Sequence, residues 1–471
     1  MFDILYARLP RLTALLVAVS LVFGAESVLA QQSSAPDRTI SFDEAVEIAL
    51  DQNTTLKRAV NTARRNDIAV SRARMDFMPS LNLSSGGNRN FGRSFSQEEG
   101  GIVNETSDFF TVGTSASINL FNGFGDVATL NRASLNAQSG DLNLERTRQQ
   151  VVFNVMNGYL NYIESQELIR VRQEELESLR QQLRQTEERV DVGSAPVSDL
   201  YQQQAQVAEA EQQLLNAERQ AQLDKTNLIQ TLQLDPFGEY EFETPPVEED
   251  DLTGQEYMLD RLLEQAFQQR TDLRAQQIEV RAAQENIRVA QSGYYPSINL
   301  STDYGSNWSS TARLPNPDNP SNPIQPSFFD QLDNRRGGSV SIGLSFPLFD
   351  RLQTRHQVEQ AKVDLANAEY ALQDQRQQVA LQVRQAYLDY QNAEKQLDVA
   401  ETRLRAAERA REAAQERYNL GAVPFVELSQ ANADFVSAAS QRVRARYNFI
   451  FQKKLIDYYL GVLDPNVTLF R

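Results

Sequence analysis

The sequence predicts a mixed membrane protein in which a β-barrel is joined to a long α-helical barrel, with two tandem repeats per chain. Three observations carry this prediction. The chain opens on an export-type segment, its body is written twice, and strand-like stretches alternate with long heptad runs free of proline. Composition narrows the chemistry before any element is placed. The 471 residues hold no cysteine and one histidine, and 46 Lys and Arg stand against 63 Asp and Glu for a net charge of −17. Without Cys there is no disulfide, thiolate metal site or thiol nucleophile, and His356 alone cannot build a His-based metal site. No catalytic residue, metal or cofactor is therefore expected. The negative balance repels a phosphate backbone, which argues against nucleic acid as a partner.

Residues 1–30 read as a signal peptide. Arg8 and Arg11 precede an apolar run from Leu12 to Gly24, and Val28-Leu29-Ala30 supplies a small-residue cleavage site. The run is shorter than the ~20 residues that span a bilayer as helix, so the mature chain is expected to start at Gln31. Lipidation of an N-terminal cysteine is excluded because no Cys follows. With no second apolar run of spanning length, any membrane passage must be made by strands.

Duplication sets the domain plan. Ala49 and Asn53 to Leu56, then Pro79-Ser80-Leu81-Asn82-Leu83, recur as Ala266 and Arg270 to Leu273, then Pro296-Ser297-Ile298-Asn299-Leu300. Leu120-Phe121-Asn122 recurs as Leu348-Phe349-Asp350, Val192-Gly193 to Leu200 as Leu420-Gly421 to Leu428, and Leu234-Asp235-Pro236 as Leu463-Asp464-Pro465. The first repeat is placed at 31–236, a linker at 237–254, the second repeat at 255–465 and a tail at 466–471. The copies differ chiefly by an insertion with Pro315, Pro317, Pro320, Pro323 and Pro326, which reads as an irregular loop. Small waist strands are expected at Tyr240 to Pro246 and Val467 to Phe470.

Strands are expected at 80–92 and 109–121, and again at 297–309 and 338–349. Phe110, Val112, Thr114, Ala116, Ile118 and Leu120 alternate with Thr111, Gly113, Ser115, Ser117 and Asn119, and Val340, Ile342, Leu344, Phe346 and Leu348 repeat the pattern. Each stretch has about the ten residues of a membrane-spanning strand. Aromatic residues mark both ends: Phe77, Tyr294, Tyr295, Phe121, Phe124 and Phe349 at one, Phe95, Phe109 and Trp308 at the other. Paired aromatic girdles around an apolar-out, small-polar-in strand set are what a bilayer selects.

Helices are expected at 41–77, 127–190 and 196–232 in the first repeat and at 256–292, 355–418 and 424–460 in the second. Ser41 and Glu44 form a capping box at the first of them. Val155, Tyr162, Ile169, Leu176, Leu183 and Val190 recur every heptad, as do Val383, Tyr390, Leu397, Leu404, Arg411 and Tyr418, which predicts supercoiled helices side by side. At ~1.5 Å per residue the long helices reach roughly 95 Å, and the shorter helices stacked end to end match them. One chain cannot close a barrel, since four strands leave edges unpaired in hydrocarbon. Closure must come from several chains.

Taken in order and twice over, several stretches resemble the TolC-type outer-membrane efflux proteins along essentially the whole mature chain. They are Ser41-Phe42-Asp43-Glu44-Ala45, Met78-Pro79-Ser80-Leu81 with Tyr295-Pro296-Ser297-Ile298, Leu120-Phe121-Asn122-Gly123 with Pro347-Leu348-Phe349-Asp350, and the turns Val192-Gly193-Ser194 and Leu420-Gly421-Ala422. The resemblance implies a homotrimer in outer-membrane lipid, with its helical barrel in the periplasm. It also implies the role of exit duct for a tripartite efflux or type I secretion system, with a periplasmic adaptor and an inner-membrane transporter as partners. The two turns would dock the adaptor. A gate would fall on Tyr418, Asp199 and Ser198, and an acidic aperture ring on Glu427. Val423 and Gln430 depart from the family, which can carry an arginine and a second aspartate there. An exported periplasmic coiled-coil adaptor or scaffolding protein is the alternative reading, but it predicts one hairpin with soluble β domains. Enzymes are disfavoured because no acidic pair sits in a pocket-forming context.

Overall fold

The computed structural model describes residues 39–463, apart from 97–99, 246, 248–249 and 317–322. The expected signal peptide at 1–30 and the tail with its strand at Val467 to Phe470 lie outside the described residues. The elements run β1 (Thr39–Ile40), α1 (Phe42–Gln52), α2 (Thr54–Met75), β2 (Ser80–Ser96), β3 (Gly101–Asn122), α3 (Gly125–Asp191), α4 (Val197–Leu232) and β4 (Glu241–Phe242). Then come α5 (Leu259–Gln269), α6 (Thr271–Gln291), β5 (Ser297–Ser309), α7 (Phe328–Asn334), β6 (Gly337–Ser345), α8 (Gln353–Asn419) and α9 (Phe425–Leu460).

Local chemistry explains the helix boundaries. Ser41 caps α1 by accepting a 3.3 Å hydrogen bond from the Glu44 amide. The single helix expected at 41–77 is broken at Asn53, whose Oδ1 accepts from the amides of Thr55 (2.9 Å) and Leu56 (3.1 Å) and starts α2 afresh. The helix expected at 256–292 breaks at the matching Arg270, where ψ is 117°. Arginine accepts no hydrogen bond, so this break is held by a buried cluster instead. Arg270 Nε and Nη2 donate to Asp272 Oδ1 (3.0 Å) and Oδ2 (2.5 Å), and Nη1 donates to Gln382 (2.6 Å). Arg146 lies 3.9 Å from Asp272 and stacks 4.0 Å from the Tyr458 ring centroid.

The long helices α3 and α8 have 67 residues each, roughly 100 Å at helical rise. The sheet lies at one end of them and the turns at 192–196 and 420–424 at the other. Near the sheet α3 packs on α2 and α6, and α6 on α8; farther out α3 packs on α4 and α9, and α9 on α8. Two aromatic-rich clusters fill the waist, one around Tyr159, Met156 and Ile163, the other around Tyr390 and Phe449. Tyr159 donates toward the carbonyls of Ile40 (2.9 Å) and Glu243 (2.8 Å), which ties down the parallel β1–β4 pair.

The four-stranded antiparallel sheet has the order β2-β3-β5-β6. Its register places Leu81, Leu83, Val112, Thr114, Ala116, Ile118, Leu300, Thr302, Tyr304, Val340, Ile342 and Leu344 on one face. Ser80, Asn82, Ser115, Ser117, Asn299, Ser301, Ser339 and Ser341 share the other.

The register revises three strand readings. A bulge between Asn119 and Phe121 leaves Leu120 as the extra residue, so Phe121, opposite Ile298, continues the apolar face. Phe109, expected in an aromatic girdle, pairs with Asn88 on the polar face, while its neighbour Phe110 is on the apolar face. The last strand stops at Ser345 rather than running to 349, because Pro347 has no amide to donate to a ladder. β2 and β3 also run past the expected 92 and 109, as a two-stranded ribbon beyond the rest of the sheet.

The insertion is not wholly irregular. Leu314 and Ile324 form an antiparallel bridge, and Ser327 accepts from the Asp330 amide at 3.2 Å to start α7. Phe328 on α7 packs 5.5 Å from Phe110 and 5.6 Å from Trp308.

Candidate functional site

The residues singled out in the sequence converge at the end farthest from the sheet. Each long helix ends in a Schellman turn, which satisfies its last carbonyls and demands a left-handed residue. In the first repeat Gly193 (φ 73°) donates to Val190 O at 2.9 Å and Ser194 to Arg189 O at 2.7 Å. In the second, Gly421 (φ 69°) donates to Tyr418 O at 2.9 Å and Ala422 to Arg417 O at 2.8 Å. A Cβ added to either glycine would meet nothing within 4 Å. The turns project Val192 and Leu420, which are 78% and 77% exposed.

Tyr418 is buried at this end, against Phe425 at 5.8 Å. The Arg189 guanidinium of the other repeat lies over its ring, 5.1 Å from the centroid. Burial pushes the phenol above its ordinary pKa, and the Asp199 charge adds to this, while Arg189 and a contact to Thr186 work against it. Asp199 is thus within electrostatic reach of Tyr418. Among the described residues of one protomer, however, no hydrogen bond joins the two. Asp199 instead takes a 3.4 Å hydrogen bond from Ser198 on the first turn of α4. Glu427 opens α9 and accepts a 2.7 Å hydrogen bond from Arg417 Nη1, so its carboxylate carries a paired cation.

Sequence reasoning missed the groups that connect the two repeats. Gln182 donates to Gln415 at 3.2 Å and accepts from Asn432 at 3.2 Å, while Gln206 donates to Ser429. A cavity of about 350 Å³ lies between the repeats, lined by Gln182, Thr186, Arg189, Gln415, Tyr418 and Phe425. The available signal was the twin positions of Arg189 and Arg417, hidden among many surface arginines. Hydrogen bonds, ring contacts, the Arg417–Glu427 ion pair and an apolar cluster of Ala414, Tyr418, Val423, Phe425 and Leu428 hold the tip together.

A family model described as outer membrane efflux protein matches residues 45–232 and 262–456. The chain is 23% identical over 406 residues to outer membrane protein TolC of Salmonella enteritidis, covering 85% of this chain and 77% of the relative. Among solved structures it resembles the Campylobacter jejuni CmeC outer membrane channel, with a TM-score of 0.76, 17% identity and coverage of 89% and 85%. It also resembles the Vibrio cholerae outer membrane protein VceC, with a TM-score of 0.74, 16% identity and coverage of 89% and 96%.

Proposed function

Because the chain belongs to the outer membrane efflux protein family, we propose that three copies close one barrel and one helical tube, gated at the tip. The chain itself is an outer-membrane exit duct for efflux or secretion, with its helical tunnel in the periplasm, and it is not an enzyme. One observation carries the trimeric reading: in a single chain both sheet edges, β2 and β6, pair on one side only. Unpaired backbone groups in hydrocarbon are too costly to persist, so neighbouring subunits must satisfy them. The lateral helices support the same reading, since Val60 and Ile68 on α2, Leu215 on α4, and Tyr370, Leu381 and Val399 on α8 are exposed apolar residues at helical spacing. Light scattering in detergent should return a trimer. A stable monomer would overturn the architecture.

The repeats 31–236 and 255–465 then serve as matching staves of the wall. A periplasmic adaptor meets Val192, Gly193, Ser194, Leu420, Gly421 and Ala422, and an inner-membrane transporter supplies the cargo. Tyr418, Asp199 and Ser198 belong to the gate, and Glu427 lines the aperture with its field reduced by Arg417. Changing Tyr418→Phe together with Asp199→Ala should raise single-channel conductance in planar bilayers. Bulky residues at both Gly193 and Gly421 should abolish export while trimers still reach the outer membrane. Unchanged conductance in the first case would make Tyr418 a packing residue, and normal export in the second would make the turns punctuation only.

A further inference from the structure

The ribbon formed by the outer parts of β2 and β3 has two unlike faces. Its register runs unbroken from Ser80↔Ser117 to Ser96↔Gly101, so the face that carries Leu81 and Leu83 continues upward through Arg89, Phe91, Arg93 and Phe95. The opposite face reads Asn88 and Asn90, which are hydrogen-bonded to each other at 3.1 Å, with Ser107 across the ladder. A tilted strand crosses the hydrocarbon in about 9–11 residues. Counted from Ser80, Phe91 then sits at the outer interface and Arg93 in the headgroup layer, on the side that looks at lipid. Aromatic side chains favour this boundary, and a long cationic chain reaches past it toward phosphate.

The side chains along the stripe differ in what they have left to offer. Arg89 is already ion-paired, with Nε and Nη2 donating to Asp108 Oδ1 (2.5 Å) and Oδ2 (2.9 Å). Arg93 is exposed and faces neutral Asn104, with no ion-pair partner among the described residues. Phe91 and Phe95 on either side of it are 81% and 68% exposed. At the base of the ribbon α7 lies on this same face. Phe328 fills the notch between Phe110 and Trp308, and the Leu332 carbonyl accepts a 2.6 Å hydrogen bond from Ser306, which leaves Phe329 78% exposed.

We propose that this collar is a binding surface for a lipid whose headgroup carries phosphate in the outer leaflet. Arg93 donates to the phosphate, Phe91 seats the boundary between its headgroup and its acyl chains, and Phe329, lower on the same face, meets the acyl chains. The inference rests on the duct reading, because it needs the Leu81–Leu83 face to look at lipid. It commits to the lipid by continuity of that face and by the charge of Arg93.

Purified protein would be titrated in a zwitterionic detergent with bis-phosphorylated lipid A, with the same lipid after removal of its phosphates, and with inorganic phosphate. Thermal stability and native mass spectrometry would be the readouts. Wild type should be stabilised by the phosphorylated lipid and retain it in the spectrometer, and inorganic phosphate should do nothing. Arg93→Gln should weaken the phosphorylated lipid about fivefold, as expected for one basic residue at a membrane surface, and Arg93→Lys should recover most of the loss. Phe91→Ser should weaken both lipids. Equal response to the two lipids, an unaltered Arg93→Gln variant, or a response to inorganic phosphate alone would overturn the collar. A wild-type monomer in the same spectra would instead overturn the trimeric duct, so the two failures are distinguishable.

Discussion

Arg189 and Arg417 hold the same place in the two repeats, and each lends its carbonyl to the Schellman bond of its own tip turn. Their guanidinium groups nevertheless go to different partners. Arg417 pairs with Glu427 on its own return helix at 2.7 Å, whereas Arg189 crosses to the ring of Tyr418. The residues around them account for the difference. The first repeat has Asp199 where the second has Glu427, one methylene shorter, and Val190 where the second has Tyr418. Arg189 therefore has an aromatic face within reach across the repeat boundary. A duplicated backbone can thus send equivalent arginines to different partners.

The waist shows the same division. At Asn53 the break between helices is capped by one side chain, while at Arg270 it is held by the cluster of Arg270, Asp272, Arg146, Gln382 and Gln375. Arg270 is 2% exposed and Gly461 (φ 78°) packs on it; a Cβ there would meet the Arg270 Cα at 3.1 Å. The first break is a local solution, and the second depends on three separate helices.

The sharpest way to break the comparison is at these two helix breaks. Asp272→Asn strands the buried Arg270 guanidinium and the half-buried one of Arg146 and should cost about 3 kcal/mol, whereas Asn53→Ala should cost about 1 kcal/mol as an ordinary cap loss. Chemical unfolding of the trimer measures both. Equal costs would mean that the cluster is no more than a cap. The acid limb provides an independent check. Burial alone would raise the Asp272 pKa, but the hydrogen bonds and charge of Arg270, with Arg146 beyond it, hold it below the ordinary carboxylate value. A carboxylate with a folded pKa below its unfolded one stabilises fully above about pH 4 and loses that contribution as pH falls toward the folded value. Thermal unfolding of wild type should therefore weaken below that pH, and Asp272→Asn should flatten this part of the profile.

Next in size is the sheet, where the repeats should behave alike. Arg at Val112 or at Leu344 should cost on the order of 2 kcal/mol or more near the midplane, read as lost trimer in the outer membrane. The same change at Ser115 or Ser341, on the polar face, should be tolerated. Equal tolerance on both faces would reverse the assignment of lipid and lumen.

The smallest effects are at the tip and are best read through function. Removing a cation–π contact is worth roughly 0.5–1 kcal/mol, so Arg189→Gln should raise the open fraction in single-channel recordings by a few-fold. Arg417→Gln should leave opening nearly unchanged and increase cation preference, because it uncovers Glu427; Glu427→Gln should lower that preference. If Arg417→Gln opens the channel as readily as Arg189→Gln, the asymmetry between the repeats has no consequence for gating.

The sequence by itself determined what depends on near neighbours along the chain. Heptad and period-two patterns require long paired helices and one-sided strands, and a left-handed residue after each long helix requires Gly193 and Gly421. Recurrence of these features shows that the unit is used twice. Only the tertiary structure decided which distant groups meet. It made Leu120 a bulge, folded the end of the insertion into α7 against Trp308, and sent Arg189 to Tyr418. Each of these outcomes turns on a one-residue register step or on a reach of a few ångströms between segments far apart in sequence. Periodicity fixes the face a residue takes on its own element, whereas the neighbour across the gap is set by how the elements pack.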